Sequence, residues 1–365
     1  MTVFAGRSIS RFPVRLVGSL PDSGITGLNS ILVRAGGNQI QLFGGVPDGT
    51  SGSPVYIGGR LIGAISAQYF PDTALMGVTP IEDMRNLAAE PGSPEADQSI
   101  GAAVPAPTKA TVIGLTSGRA LGEVAGRFGS PVLGHNLPTA RCLATAPLQP
   151  GSAIAAAAMT GDIKLGFIGT ATVVDDTQVL AFGHPLLFSG PSSMALTTAE
   201  IAEVARGEWP RKLGNMSEVI GTVLQDRAAG IYARLDVKPR LIPLHLTVRD
   251  EDRDHTETLQ VQIAPLPSEI PFLAYIAALE CMQRAMNRVG SGSAAWDWTI
   301  AVSGSDAPTV ATGAVYDLYD IGGTVAAAVL PVLEQLLQAR HTINSINLTA
   351  TVTMRELPEL GDSPY

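Results

Sequence analysis

The chain has 365 residues, of which 45% are apolar and only 16% charged, with a formal net charge of −9. That length accommodates two or three domains, and the acidic balance without a basic stripe excludes nucleic acid or an anionic membrane as the main partner. Thirty-nine glycines and 26 prolines predict a mainly β protein with many turns. Taken in order, residues 11–20 alternate as a half-buried strand, and Pro21-Asp22-Ser23-Gly24 breaks it. Ile31–Val33 and Ile40–Phe43 read as two strands turned by Gly36-Gly37-Asn38. Gly49-Thr50-Ser51-Gly52-Ser53-Pro54-Val55-Tyr56 follows, a glycine-flanked turn running into a strand. Gly52 suits positive φ there, and Gly49 permits close approach of a substrate. Gly58-Gly59 is a two-residue hairpin turn returning through Arg60–Ile65. Thr79-Pro80-Ile81-Glu82 has the signature of a capped helix start, with the helix ending near Ala89.

Residues 90–110 turn to Pro, Ala, Gly, Ser and Asp, the composition of a linker. The chain therefore divides into a serine-bearing β half (1–89), this linker, a second β half (111–237) and an α+β accessory domain (238–365). In the second half Lys164–Val174 is a strand, Asp175–Gln178 a turn, and Val179–Phe182 a strand leading into Gly183-His184-Pro185. Val219–Arg227 and Gly230–Leu235 form a strand pair. The accessory domain holds strands at 242–248 and 258–263 and a helix over about 271–289 capped by Gly290. A helix over about 323–340 follows, and a closing strand alternates from Ile346 to Met354.

A serine hydroxyl needs a neighbouring base, and histidine titrates close to neutrality. Five histidines are available. His245 falls in a strand, His255 in a charged turn and His341 after a helix end, so His184 and its rival His135, in a Gly-His-Asn loop, remain. Cys142 and Cys281 lack metal-ligand spacing, so neither a zinc site nor an essential disulfide is expected. No metal or organic cofactor is implied. No run of eighteen apolar residues occurs and no leader segment precedes Thr2, so neither a membrane span nor an export signal is expected in this sequence.

Together the Gly-Thr-Ser-Gly-Ser-Pro-Val-Tyr stretch, Gly-Gly-Arg-Leu-Ile-Gly-Ala-Ile and Ala181-Phe182-Gly183-His184-Pro185 resemble the SpoIVB-type serine peptidases, relatives of trypsin. The resemblance spans about Thr2 to Leu235. It implies a trypsin-like double β-barrel, a protein or peptide substrate (its own chain included), and an extracytoplasmic location. Ser51 takes the nucleophile position, with Thr50 in place of the family's Met, and His184 the general base position. The backbone N–H groups of Gly49 and Ser51 are the expected oxyanion donors. The serine half precedes the histidine half, the reverse of the sporulation enzymes; geometry rather than chain order governs such a site. The family's aspartate would fall at position 36, which is Gly36. Asp226 is the first substitute, with Asp48 and Asp72 behind it, and an Asp226–Arg227 ion pair is the structural alternative. Loss of the orienting acid costs a triad enzyme about four orders of magnitude. A catalytically impaired pseudopeptidase acting as a binding or scaffolding module is therefore the second expectation. An acyl-transferring enzyme of another kind ranks last, because Gly49–Ser53 lacks the Gly-x-Ser-x-Gly register.

Overall fold

The computed structural model describes residues 1–21, 28–89, 109–129, 131–134 and 147–353. Glycine-punctuated apolar runs become strands through most of this length, so the protein is mainly β. It divides into two compact units. The first comprises Met1–Ile113, Ala125–Ala158 and Lys164–Arg240, and the second Gly114–Val124, Met159–Ile163 and Leu241–Tyr365. Both halves that carry the motifs thus belong largely to one unit. The expected linker falls almost wholly outside the described residues, as do His135 and Cys142.

In the first unit a hairpin of β1 (Thr2–Ala5) and β2 (Ser8–Ser10) precedes β3 (Val14–Leu20) and β4 (Ser30–Ala35). Next comes α1 (Asn38–Phe43), where a strand over 40–43 was expected. Gly37 (φ +92°) and Gly44 (φ +86°) turn the backbone sharply on either side of it. Ile40 and Phe43, three residues apart, then share one face and enter the core beside Val33, Ile65 and Val78. A four-residue apolar–polar alternation is too short to distinguish the two periods. β5 (Pro54–Ile57), β6 (Arg60–Tyr69) and β7 (Asp72–Pro80) complete an antiparallel sheet in the order β3-β4-β7-β6-β5. This sheet is open, with β3 and β5 at its edges. α2 (Ile81–Asn86) begins as expected, but Pro80 rather than Thr79 holds the cap position and no side chain caps it. The Thr79 hydroxyl instead donates to Gly183 O.

The remaining strands of this unit are β8 (Thr111–Ile113), β9 (Val132–Leu133), β10 (Ala153–Gly161), β11 (Lys164–Asp175), β12 (Gln178–Ala181), β13 (Gly190–Ala205), β14 (Arg211–Arg227) and β15 (Gly230–Arg234). The helix α3 (Gly118–Phe128) lies between β8 and β9 in sequence. The order β10-β13-β14-β15-β12-β11, with β10 also pairing β11, brings six strands back on themselves in a barrel-like ring. Ala153–Ala158 and Leu165–Thr172 are buried without alternation, as strands covered on both faces are.

The second unit is an α+β arrangement. Its strands β16 (Ile242–Asp250), β17 (His255–Ile263), β18 (Gly292–Val302), β19 (Thr309–Asp317) and β20 (Ile343–Thr353) take the order β19-β18-β20-β16-β17, with only β16–β20 parallel. α4 (Ile270–Met286) packs on β16 and β17, and is buried on nearly every face rather than along one stripe. Asn287 in the left-handed conformation ends it, ahead of the expected Gly290. The expected helix over 323–340 is two, α5 (Ile321–Ala327) and α6 (Val329–Gln338), joined at Ala328. By length and composition these 18 residues, with mean hydropathy 1.3, could cross a membrane. Here Ile321, Val325, Val329 and Leu333 are buried in the unit's own core.

Candidate functional site

The serine turn is pinned on three sides within the first unit. Asp48 N donates to Pro210 O and Lys212 N to Asp48 O, which ties the entry of the turn to β14. Thr170 N donates to Ser51 O (2.8 Å) and Thr172 Oγ1 to Gly52 O (2.7 Å), which ties its apex to β11. Gly52 N donates to Ile65 O and Ile65 N to Ser53 O, which ties its exit to β6. Gly52 has φ +90°, and a Cβ there would stand 2.0 Å from Thr170 O and 2.5 Å from Phe182 N. Only glycine fits both the conformation and the space. Gly49, also at positive φ, faces the Lys212 side chain rather than open space for a substrate.

The histidine turn is held against the same structure. Gly183 lies over β6, where a Cβ would meet Ala64 and Ser66 Cβ at 3.2 Å. Thr79 Oγ1 donates to Gly183 O at 2.6 Å, which is why that hydroxyl is not free to cap α2. Two turns far apart in sequence are thereby adjacent: the serine turn touches Phe182, two residues before His184. The Ser51 side chain is half-buried and, among the described residues, neither its Oγ nor its N–H makes a hydrogen bond. No hydrogen bond joins it to His184.

His184 is 3% exposed, and burial lowers its pKa to about 4. Its Nδ1 lies 2.7 Å from Pro185 O. A carbonyl oxygen can only accept, so Nδ1 carries the proton and Nε2 is the basic nitrogen of the neutral ring. In a serine triad a carboxylate fills that place. Asp226 does not: its carboxylate accepts from Leu186 N (2.7 Å), Leu187 N (2.8 Å), and Ser189 N and Oγ (3.3 Å each). The expectation that Asp226 orients the imidazole is corrected accordingly. It orders the loop following the ring, and desolvation pushes its own pKa up against those four donors. The alternative Asp226–Arg227 pair is not what occupies it, and Arg227 Nε instead donates to Gln225. Asp72 pairs with Arg34 at 2.7 Å in the β6–β7 hairpin, also away from the ring.

The oxyanion expectation changes as well. Gly49 N donates to Asp48 Oδ1 at 2.8 Å and is not open. Thr50 N, Gly52 N and Ser53 N donate to Pro47 O, Ile65 O and Thr50 O. Ser51 N–H is the donor of this turn left without a partner among the described residues. Ser53 is fully buried, with Oγ donating to Thr50 O at 2.6 Å, so it belongs to the framework. Beside the motif a groove of about 600 Å³ runs between Phe12–Val14 and the edge strand Pro54–Tyr56, with Arg11 in its lining. Among the described residues no cluster of His, Cys, Asp and Glu could hold a metal ion.

Sequence reasoning passed over Lys212. It is 3% exposed, and its Nζ donates to Gly49 O (2.9 Å) and Thr2 Oγ1 (2.6 Å), with no carboxylate in salt-bridge reach among the described residues. Desolvation lowers its pKa to about 7 against the opposing pull of Asp48. A lone lysine in a long strand carries no signal of such a role. The chain was compared with known families, curated proteins and solved structures, and none matches.

Proposed function

We propose that this protein is a serine peptidase of the SpoIVB type, acting through an acyl-enzyme on Ser51 with His184 as base. The observation that supports it most is the docking of the Gly49–Ser53 turn onto Thr170 and Phe182 while Thr79 holds Gly183. Two motifs that have no structural need of each other in sequence are neighbours in space. Ser51 has an open hydroxyl, and His184 has the tautomer a base requires, with the Pro185 carbonyl standing where a carboxylate orients the ring in a triad. In chemical terms this is a Ser–His dyad, and its halves occur in the order opposite to the sporulation enzymes. A two-lobed trypsin-like arrangement accommodates it. The groove along β5, starting three residues after Ser51, suits an extended protein segment as substrate.

A second reading has its own support. The imidazole is nearly inaccessible, and its Nδ1 is engaged by the backbone carbonyl of Pro185. Those features fit a pseudopeptidase that binds a segment without cutting it. A serine-directed fluorophosphonate probe separates the two. The peptidase is labelled on Ser51, as mapped by mass spectrometry, and Ser51→Ala and His184→Ala abolish the label with the fold intact. Ser53→Ala remains labelled. A wild-type protein that stays unlabelled replaces the peptidase by the binding module.

A further inference from the structure

The serine turn is shaped by what holds its carbonyls. Lys212 Nζ takes Gly49 O, and Ser53 N and Oγ both take Thr50 O. A trans peptide is planar with its N–H pointing opposite to its C=O. Gly49 O drawn toward Lys212 therefore turns Thr50 N–H the other way, into Pro47 O. Thr50 O drawn toward Ser53 turns Ser51 N–H outward. That N–H is then available to a developing negative charge at the carbon Ser51 attacks. We infer that Lys212 is a positioning residue of this turn: its buried ammonium fixes the Gly49 peptide plane and sets a positive charge behind the open Ser51 N–H. The inference rests on the peptidase reading and deepens it.

A merely structural lysine is a poor explanation of the site. An unpaired buried charge is costly, and an apolar side chain of similar volume often does better in such a place. Among the described residues Lys212 Nζ has two oxygen acceptors, both uncharged, and a ring contact to Phe4 at 5.9 Å. The charged groups that face it are few. Asp48 is on the turn itself, and its carboxyl is raised by burial and drawn down by Gly49 N–H, Lys109, Arg211 and Lys212. The Met1 amine lies near enough to feel Lys212 and Arg11, and burial with those charges lowers it to about 5. Burial holds Lys212 itself at about 7, close to neutrality. The neutral amine keeps N–H donors for Gly49 O, so deprotonation removes charge rather than the contact.

The test is the rate of fluorophosphonate labelling against pH for wild type, Lys212→Met and Thr2→Val, each checked for folding by circular dichroism. The rate in wild type rises through pH about 4 as His184 loses its proton and falls through pH about 7 as Lys212 does. Lys212→Met loses the alkaline fall and is slower by on the order of tenfold at pH 6. That is less than the roughly 10²–10³ that deleting an oxyanion donor costs. Thr2→Val, which removes the other acceptor of the same ammonium, keeps the alkaline fall but moves it to lower pH. Lys212→Met labelled at the wild-type rate, or with the alkaline fall intact, overturns the inference and leaves Ser51 as nucleophile. If Lys212→Met fails to fold, a wild-type profile without a fall near pH 7 overturns it, and one with that fall supports it. If no probe labels the wild type, the peptidase reading itself fails, and the ¹⁵N–¹H resonance of Ser51 decides instead. A titration of that resonance with a midpoint near 7 supports the placement of Lys212, and its absence overturns it.

Discussion

Gly52→Ala is the substitution that most directly probes how the serine turn is built. The added methyl would lie 2.0 Å from Thr170 O and 2.5 Å from Phe182 N, both backbone atoms that cannot swing aside. The position has φ +90°, so an L side chain is strained before any contact is considered. Strain of this kind costs about 1–3 kcal/mol, and over-packing against fixed neighbours about 1–3 kcal/mol more. Together these give about 2–6 kcal/mol, or at about 2–4 °C per kcal/mol a fall in Tm of at least about 4 °C. Gly58→Ala is the comparison: φ is +57°, but nothing lies within 4 Å of the new methyl. It should lose only about 1–2 kcal/mol. Thermal and urea denaturation of both variants, followed by circular dichroism, measure the difference. Because relief of the clash must push the turn off β11, Gly52→Ala should also lose probe labelling, while Gly58→Ala keeps it. Equal stability of the two variants would refute the account of the turn as wedged against Thr170 and Phe182.

Burial lowers the His184 pKa from 6.5 to about 4, so the unfolded chain binds the extra proton between those values. The resulting stability is present above pH about 6.5 and is lost as pH falls toward 4, by up to about 3 kcal/mol. In a urea series at several pH values, His184→Gln should flatten that acid arm. Thr79→Val removes the donor to Gly183 O and leaves a buried acceptor unpaired. A loss of about 1–3 kcal/mol is expected, together with slower labelling, whereas a loss of helix α2 alone would point back to a capping role. In the second unit Glu280 is fully buried, accepting from Thr116 N and Oγ1, Ser117 N and Arg284 Nε. Glu280→Ala leaves the Thr116 and Ser117 donors unpaired, while Arg284 keeps Glu257 and Gly114 O, and should cost about 1–3 kcal/mol, read by urea unfolding with tryptophan emission. Burial pushes the free Cys281 thiol up to about 12. A thiol reagent should therefore reach it only after unfolding, and reducing agent should leave Tm unchanged.

The legible parts of the chain were those where chemistry is local. Gly58-Gly59 between two apolar runs gave the β5–β6 hairpin. Motif and context singled out the Ser51 and His184 turns, and the fold places Gly52 of the first against Phe182 of the second. What stayed hidden depends on partners distant in sequence. Ala153–Ala158 has the composition of a helix, yet it forms a fully buried strand because β13 and β11 enclose it. The Thr79–Pro80–Glu82 pattern is that of a capped helix, but the hydroxyl was claimed by Gly183, 104 residues away. Asp226 read as a third catalytic group because it lay in the right half; only the loop amides of Leu186, Leu187 and Ser189 reveal its actual partners. The 292–317 hairpin went unread, although Trp296 and Trp298 sit in a strand whose alternate residues are buried.

The anchoring of the serine turn on β11 has a consequence in time. Ser51 is synthesised early, but the groups that shape its turn, Thr170, Thr172, Phe182 and Lys212, come more than a hundred residues later. At roughly 5–20 residues per second, Ser51 leaves the ribosome several seconds before any of them exists. Throughout that interval the segment is a flexible glycine–serine stretch with no base and no fixed donor. On the proposed peptidase reading, the protein is inert while nascent, and the serine turn takes its shape only when the later strands close over it.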